Sequence, residues 1–314
     1  SLQETPVAVS AFTGESLTEL GMRNITDLTQ VVPNVDMYSG NGTNGKGNVF
    51  IRGVGARNTG VNYDSGVGIY VDGVYMSRAD GTILDNVDVQ SLQVLRGPQG
   101  TLFGKNTTGG AILYATNRPS EEFEGHAEVR AGNFNQLDGK LTVNIPLVDD
   151  KLLSRFSLYS TNRDGYVKSR SNGHPGMSDG DEYSDVGRYG GQAQLRWVAS
   201  ETLMFDLNYN YNKTDQAARG QNCEVVRGIP GAGWQSALQD PFIIIPSTGK
   251  SIADWCQDNQ DLGIDVTMAN LQPNKYEAEL NTLALTVDWE LGENLNFTSI
   301  TSARNTQSGE ANEL

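Results

Sequence analysis

The sequence predicts a small mixed α/β domain over residues 1–118, followed over 122–314 by antiparallel β strands of a transmembrane barrel. Three observations carry this. After Asn117-Arg118-Pro119-Ser120 the hydrophobic spacing switches to alternation with a period of two. The apolar faces of six successive alternating runs hold no charged residue, whereas the opposite faces hold many. The short links between runs fall at one end and the long links at the other, as in barrels with short periplasmic turns and longer external loops.

In the first domain, Ser16-Leu17-Thr18-Glu19 has the spacing of a capping box and predicts a helix start. Asn24 is placed to cap a second helical turn, with Ile25, Leu28 and Val31 on one face and Pro33 as its stop. Short strands are expected over 48–52, 67–71, 92–96 and 111–116. Asp72-Gly73, flanked by Tyr70-Val71 and Val74-Tyr75, is a hairpin signal.

Beyond 122, Phe123, Gly125, Ala127, Val129 and Ala131 alternate with Glu122, Glu124, His126, Glu128 and Arg130. Leu137, Leu141, Val143, Ile145 and Leu147 alternate with Asp138, Lys140, Thr142 and Asn144. Phe156 and Leu158 oppose Arg155, Tyr159 and Arg163, and the runs around Leu195, Leu207 and Leu285 repeat the pattern. A seventh run, 295–304, is less regular. A soluble half-buried sheet also alternates. The charge-free faces discriminate, because Arg or Lys facing lipid at mid-depth costs about 2–4 kcal/mol. Tyr189, Trp197, Tyr209, Tyr211 and Trp289 gather near run ends, as interfacial girdles do. The links at 148–150, 199–201 and 291–294 are tight, and those at 165–186 and 215–275 are long and polar. Asn133-Phe134-Asn135 is a short turn at the external end, so the first strand runs outward. Seven strands do not close around a domain of this size, and bare strand edges are not viable in lipid. The chain is expected to be part of a larger barrel of about 22 strands.

Bulk composition narrows the function classes. A net charge of −15 argues against a nucleic-acid partner. No stretch reaches the roughly 18 apolar residues of a membrane helix, which leaves a barrel as the membrane option. No signal peptide is present, so Ser1 reads as a trimmed start. Cys223 and Cys256 lie in one long polar segment, and a disulfide across it is the preferred reading, with two free thiols as the alternative. Gly104-Lys105 lacks the glycine and hydroxyl spacing of a phosphate loop. Gly40-Asn41-Gly42-Thr43-Asn44-Gly45 matches the dinucleotide pattern, but no helix pattern follows it, so it reads as a loop. Asp179, Asp181, Glu182 and Asp185 read as a solvated loop rather than a calcium site. His126 and His174 have no metal-ligand companions, and no catalytic constellation, cofactor site or metal site is legible.

The run Val94-Leu95-Arg96-Gly97-Pro98-Gln99-Gly100-Thr101-Leu102-Phe103-Gly104-Lys105-Asn106-Thr107-Thr108-Gly109-Gly110-Ala111 closely resembles the plug signature of TonB-dependent outer-membrane receptors. Pro6-Val7-Ala8-Val9-Ser10, Phe50-Ile51-Arg52-Gly53 and Tyr70-Val71-Asp72-Gly73-Val74-Tyr75 precede it in the order that family uses. The resemblance is strong over 1–118 and a matter of pattern beyond. It implies a gated importer and not an enzyme. A small-molecule ligand, most commonly a ferric siderophore, would be taken up from outside, with TonB as partner at the periplasmic face and outer-membrane lipid around the barrel. The segment that TonB grips normally lies just before a stretch like Ser1 to Val9 and is absent from this sequence. The resemblance also implies that Arg52 and Arg96 pair with barrel-wall carboxylates and latch the plug, as the planar guanidinium fork suits. Ligand contact is expected from the outward plug loops Asn41 to Lys46, Arg57, Asn58, Tyr63, Asp64, and Tyr75 to Arg78. A glycan, cobalamin or plant aromatic as cargo, or a soluble secreted Gly-rich β protein binding saccharide, are the competing readings.

Overall fold

A computed structural model of the chain describes residues 8–39, 47–56, 64–77, 87–169, 180, 182–217, 266–267 and 275–310. Strand β1 (Ala8–Thr13) leads into helix α1 (Gly14–Glu19). The helix starts earlier than the Ser16 capping-box spacing predicts. Thr13, still in extended conformation, caps it: its Oγ1 accepts from the Ser16 backbone N–H at 3.2 Å. Asn24 caps a 3-10 turn, Ile25–Asp27, that runs into helix α2 (Leu28–Val31). Here the capping is reciprocal, with Asn24 Oδ1 accepting from Thr26 N and Asp27 Oδ2 accepting from Asn24 N. Ile25 and Leu28 are fully buried, as their shared face predicts.

Two small sheets complete this part. Strands β2 (Val35–Ser39), β3 (Gly47–Ile51) and β4 (Val54–Gly55) form an antiparallel meander. The larger sheet has the order β1-β7-β8-β5-β6, with β5 (Val67–Val71), β6 (Val74–Tyr75), β7 (Val89–Arg96) and β8 (Gly110–Thr116). Strand β5 runs parallel to β8, and the other pairs are antiparallel. Leu17, Ile25, Leu28, Ile51, Leu92, Val94 and Ile112 form the core between helices and sheets.

After Thr116 the architecture changes. Strands β9 (Glu124–Ala131), β10 (Leu137–Val148) and β11 (Leu152–Arg163) open a seven-stranded antiparallel sheet. Short strands β12 (Val167–Ser169), β13 (Glu182–Tyr183) and β16 (Val266–Thr267) make a separate three-stranded sheet. The large sheet continues through β14 (Val186–Ser200), β15 (Leu203–Ala217), β17 (Lys275–Gly292) and β18 (Leu295–Glu310), each beside the one before it.

Polarity in this sheet is inverted relative to a water-soluble protein. Leu158 is 58% exposed and Phe156 43%, while Ser157 between them is 2% exposed. Leu141, Leu195, Leu207, Leu283 and Leu285 share the exposed face, and Thr142, Asn144, Arg155, Gln194 and Thr282 are buried on the other. Burying polar groups while exposing apolar ones is unfavourable in water and favourable when the outer face meets hydrocarbon. The aromatics pair across strands near the two ends. Trp197 stacks on Phe205 at 5.1 Å, and Tyr189 approaches Tyr211 at 6.3 Å. Along β14 the two levels are about 27 Å apart, or about 20 Å of height at the usual tilt, close to the apolar band of a membrane barrel. The irregular seventh run also has a reason. Ile300 points inward with Arg304, where it meets the turn at Gly73.

Candidate functional site

The buried polar face of the wall is where the first domain docks, and three polar contacts hold it there. The first centres on Asp88, just before β7. Its carboxylate takes a two-point contact from Arg155 on β11, with Nε at 2.6 Å and Nη2 at 2.7 Å. Ser157 Oγ donates to it at 2.9 Å and Asn117 Nδ2 at 2.8 Å. The pair is nearly dry: side-chain exposure is 4% for Asp88 and 10% for Arg155. Arg155 also donates through Nη1 to Glu124 on β9, which is about half exposed. Arginine meets the need of one cation fixing two carboxylates, because its fork presents parallel N–H donors.

The second contact centres on the 72–73 hairpin. Asp72 and Gly73 both adopt positive φ, 48° and 80°, which the tight turn between Tyr70-Val71 and Val74-Tyr75 requires. The Asp72 carboxylate accepts from the Thr116 backbone N–H at 2.8 Å, the Thr116 hydroxyl at 2.9 Å and Asn208 Nδ2 of β15 at 3.0 Å. Gln192 and Gln194 of β14 donate to the same Thr116 hydroxyl. Burial pushes the Asp72 carboxyl up from its ordinary value, and the hydrogen bonds from Thr116, the Arg118 charge and the Asn208 amide only partly pull it back. On β18, Arg304 donates to the Tyr75 carbonyl at 3.0 Å.

The third contact lies where the chain passes from β8 to β9. Arg118 meets Asp206 at 2.6 Å, and Arg196 holds the same carboxylate with two donors. Asn144 of β10 donates to the Ser120 and Glu122 carbonyls and accepts from the Ser120 N–H.

The signature run folds as a buttress for this docked domain. Gly97 sits at φ 112°, where a side chain is strained, and a Cβ at Gly110 would run into the Leu95 carbonyl. Pro98 follows at the exit of β7, and Gln99 is buried, with its N–H donating to Thr107 and its side chain to the Gly97 carbonyl. A short helix α3 (Gly100–Phe103) ends at Gly104, which also has positive φ. Tyr70 donates to the Phe103 carbonyl at 2.8 Å and packs against the Phe103 ring. Asn106, itself at positive φ, donates to the Tyr75 hydroxyl, and Gly109 donates to the Gly66 carbonyl. The run therefore clamps the 72–73 hairpin that touches the wall.

The expected site residues fall unevenly. Arg52 is exposed in the turn between β3 and β4, and its N–H donates to the Asn34 carbonyl. Arg96 reaches the Pro33 carbonyl at 3.3 Å. Among the described residues neither has a carboxylate partner. Asp64 meets Lys105 at 3.5 Å in an exposed pair. Tyr75 is half-buried within the hairpin clamp. Asn41, Lys46, Arg57, Asn58, Tyr63, Arg78, Cys223 and Cys256 lie outside the described residues, as do His174, Asp179 and Asp181. Asp185 accepts from the Ala217 N–H. No group that could hold a metal is found among the described residues. Sequence reasoning missed Asp88, Thr116 and Asn208, and it read Asp72 only as a turn former. The one available signal was the polar face of the wall, which had to meet something polar.

A polar-lined, lipid-facing wall carrying a docked mixed domain defines a plugged outer-membrane β-barrel. Residues 1–111 match the family model of the TonB-dependent receptor plug domain. The pesticin receptor of Yersinia enterocolitica is 30% identical over 159 residues, covering 51% of this chain and 23% of that relative. The ferripyoverdine receptor of Pseudomonas aeruginosa is 29% identical over 147 residues, covering 47% and 17%. In fold, the chain is similar to the ferric yersiniabactin uptake receptor FyuA from Yersinia pestis, with a TM-score of 0.76 at 18% identity over 99% of this chain and 42% of that one. The ferric-catecholate import receptor Fiu from E. coli K12, in its open form, gives 0.68 at 16% identity, over 97% and 39%. Residues 1–111 thus carry the plug domain of TonB-dependent receptors, the whole chain shares the fold of plugged outer-membrane barrels, and it spans less than half the length of these relatives.

Proposed function

We propose that this chain forms the plug, residues 1–118, and the first wall strands, 122–314, of a receptor that imports a ferric siderophore and has no catalytic role. The observation that carries the reading is the dry two-point contact between Asp88 and Arg155, which ties the plug to a wall built for lipid on its other side. The cargo class is supported by two relatives of this chain, the ferripyoverdine receptor of Pseudomonas aeruginosa and the ferrioxamine B receptor of Salmonella typhimurium. The outward loops at 41–46, 57–64 and 75–78 are the proposed ligand contacts. Arg52 and Arg96 are proposed to bind further wall carboxylates.

The topology suggests how work reaches the latch. Strand β1 pairs antiparallel with β7, Ala8 opposite Arg96 and Thr13 opposite Ser91. Tension from TonB, applied before Ala8, pulls β1 from one end of the pair, while Asp88 holds β7 at the other. That loads the pairs together in shear rather than one by one.

The test is uptake of radioactive iron from ferripyoverdine, ferrioxamine B and ferric catecholates by iron-starved cells whose only such receptor is the full-length protein. Uptake of one of these that disappears on deleting TonB supports the reading. Uptake of a glycan, cobalamin or aromatic compound and of no ferric chelate moves the cargo, and no TonB-dependent uptake at all refutes the function.

A further inference from the structure

A cleft of about 590 Å³ lies between the plug, at α1 and residues 87–90, and the inner face of β9, β10, β11 and β14. Its volume is in the range of small-molecule sites. Its charge runs against that of the chain. Six cations line it, Arg23, Arg130, Lys140, Arg155, Arg163 and Arg188, against the four carboxylates Glu15, Asp88, Glu128 and Asp138. The chain as a whole carries a net −15. With the ion pairs of Asp88 with Arg155 and Glu128 with Arg130 set aside, the lining has the four cations Arg23, Lys140, Arg163 and Arg188 against Glu15 and Asp138.

Strand register arranges the wall cations in steps. Arg188 pairs with Thr161, which pairs with Asp138, so Arg188 and Asp138 share a level. Lys140 and Tyr159 form the next level inward, Thr142 and Ser157 the next, and Asn144 and Arg155 the last. Arg163 stands one level outward of Arg188 on the same face. Successive levels are about 7 Å apart. Four of the five levels thus present a cation, and the series ends at the guanidinium that holds the plug. A recess with low-dielectric walls and an excess of one sign of charge concentrates ions of the other sign.

We propose that this cleft is a binding site for a small polyanion, one whose carboxylate or phosphate groups bridge Lys140 and Arg188. Both residues already interact within the protein, so the anion joins existing contacts. As a step for cargo this rests on the importer reading, but the site itself does not need it. Lipid headgroups are kept out because the site faces the lumen.

The test is calorimetric titration of the full-length receptor in detergent with citrate, with inorganic pyrophosphate as a second anion and glycerol as the uncharged control. Saturable binding of either anion that weakens with salt is expected, with none for glycerol. The double variant Lys140→Gln/Arg188→Gln is expected to bind at least tenfold more weakly. Lys213→Gln, on the opposite face of β15, and Lys140→Arg, which keeps the charge, are expected to stay within about twofold. Absence of saturable anion binding, or equal binding by the double variant, overturns the site, and so does a tenfold loss in Lys140→Arg. An anion site in a receptor that moves no ferric chelate would leave the cleft standing and refute the cargo. Uptake without anion binding would do the reverse.

Discussion

Replacing Asp88 by alanine removes the acceptor of both Arg155 donors and leaves a guanidinium that is 10% exposed with Glu124 alone. Breaking a buried ion pair from one side costs about 3–5 kcal/mol, because a charge stays desolvated without its partner. Glu124 remains on Nη1, and Asn117 and Ser157 lie at the rim of the gap, so the low end, about 3 kcal/mol, applies. The strand that follows Asp88 is β7, paired on both sides by β1 and β8, so the loss falls on local opening of that strand. At about 1.4 kcal/mol per factor of ten, amides of β7 should exchange with deuterium about a hundredfold faster. The assay is hydrogen-exchange mass spectrometry on the full-length receptor in lipid, comparing peptides covering 89–96 with wall peptides as internal reference. Asp88→Ala/Arg155→Met should recover part of the protection, since it removes the stranded charge, while the smaller Ala and the positive φ of Asp88, 53°, keep some of the loss. Unchanged exchange in the single variant, with the wall intact, refutes the latch. A double variant worse than the single refutes the electrostatic account of it.

Three further outcomes follow from the same contacts. Asp72 has its carboxyl raised by burial, so the docked plug binds protons more readily than the undocked one. Docking should then weaken as pH rises from the ordinary carboxylate range through the raised value, and Asp72→Asn should lose that part of the pH dependence, read as the difference in hairpin exchange protection between the two proteins. Gly110→Ala should destabilise the plug by about 2 kcal/mol or more, because the new Cβ meets the Leu95 backbone carbonyl, and thermal unfolding of the plug is the readout. Leu158→Arg should cost about 2–4 kcal/mol of folding into bilayers, measured by denaturant titration in liposomes, although a soluble protein would tolerate it at a position this exposed.

What the sequence made legible was what local chemistry decides. The 72–73 turn, the Asn24 cap and the strand alternation depend on residues within a few positions of each other, and the structure has them. Helix α1 was misplaced because Thr13 reads as a strand residue until its extended conformation turns its hydroxyl onto Ser16. Strand β1, Ala8–Thr13, has no strong alternation of its own and exists as a partner of β7, some eighty residues on. Ile300 broke the seventh run because it stands on the inward, usually polar face, where its tip meets the plug turn at Gly73 while the rest stays half exposed. The latch was invisible for the same reason. Asp88 and Arg155 are 67 positions apart, and neither stands in a motif, so only the docking of two separately patterned regions brings them together. Arg52 and Arg96 were both read as strand-end residues, and Arg52 stands one position further on, in the turn after β3.

Underlying every step is the orientation of the wall, with hydrocarbon on one side and the plug on the other. Spin labels placed singly at Phe156, Ser157 and Leu158 of the full-length receptor in liposomes measure it directly, through collision with oxygen, which dissolves in lipid, and with a nickel chelate, which stays in water. Labels at 156 and 158 should collide with oxygen and be shielded from nickel, and the label at 157 should be shielded from both. Nickel reaching 156 and 158 as freely as a label in the exposed turn at Asp149 would contradict the membrane wall and with it the importer.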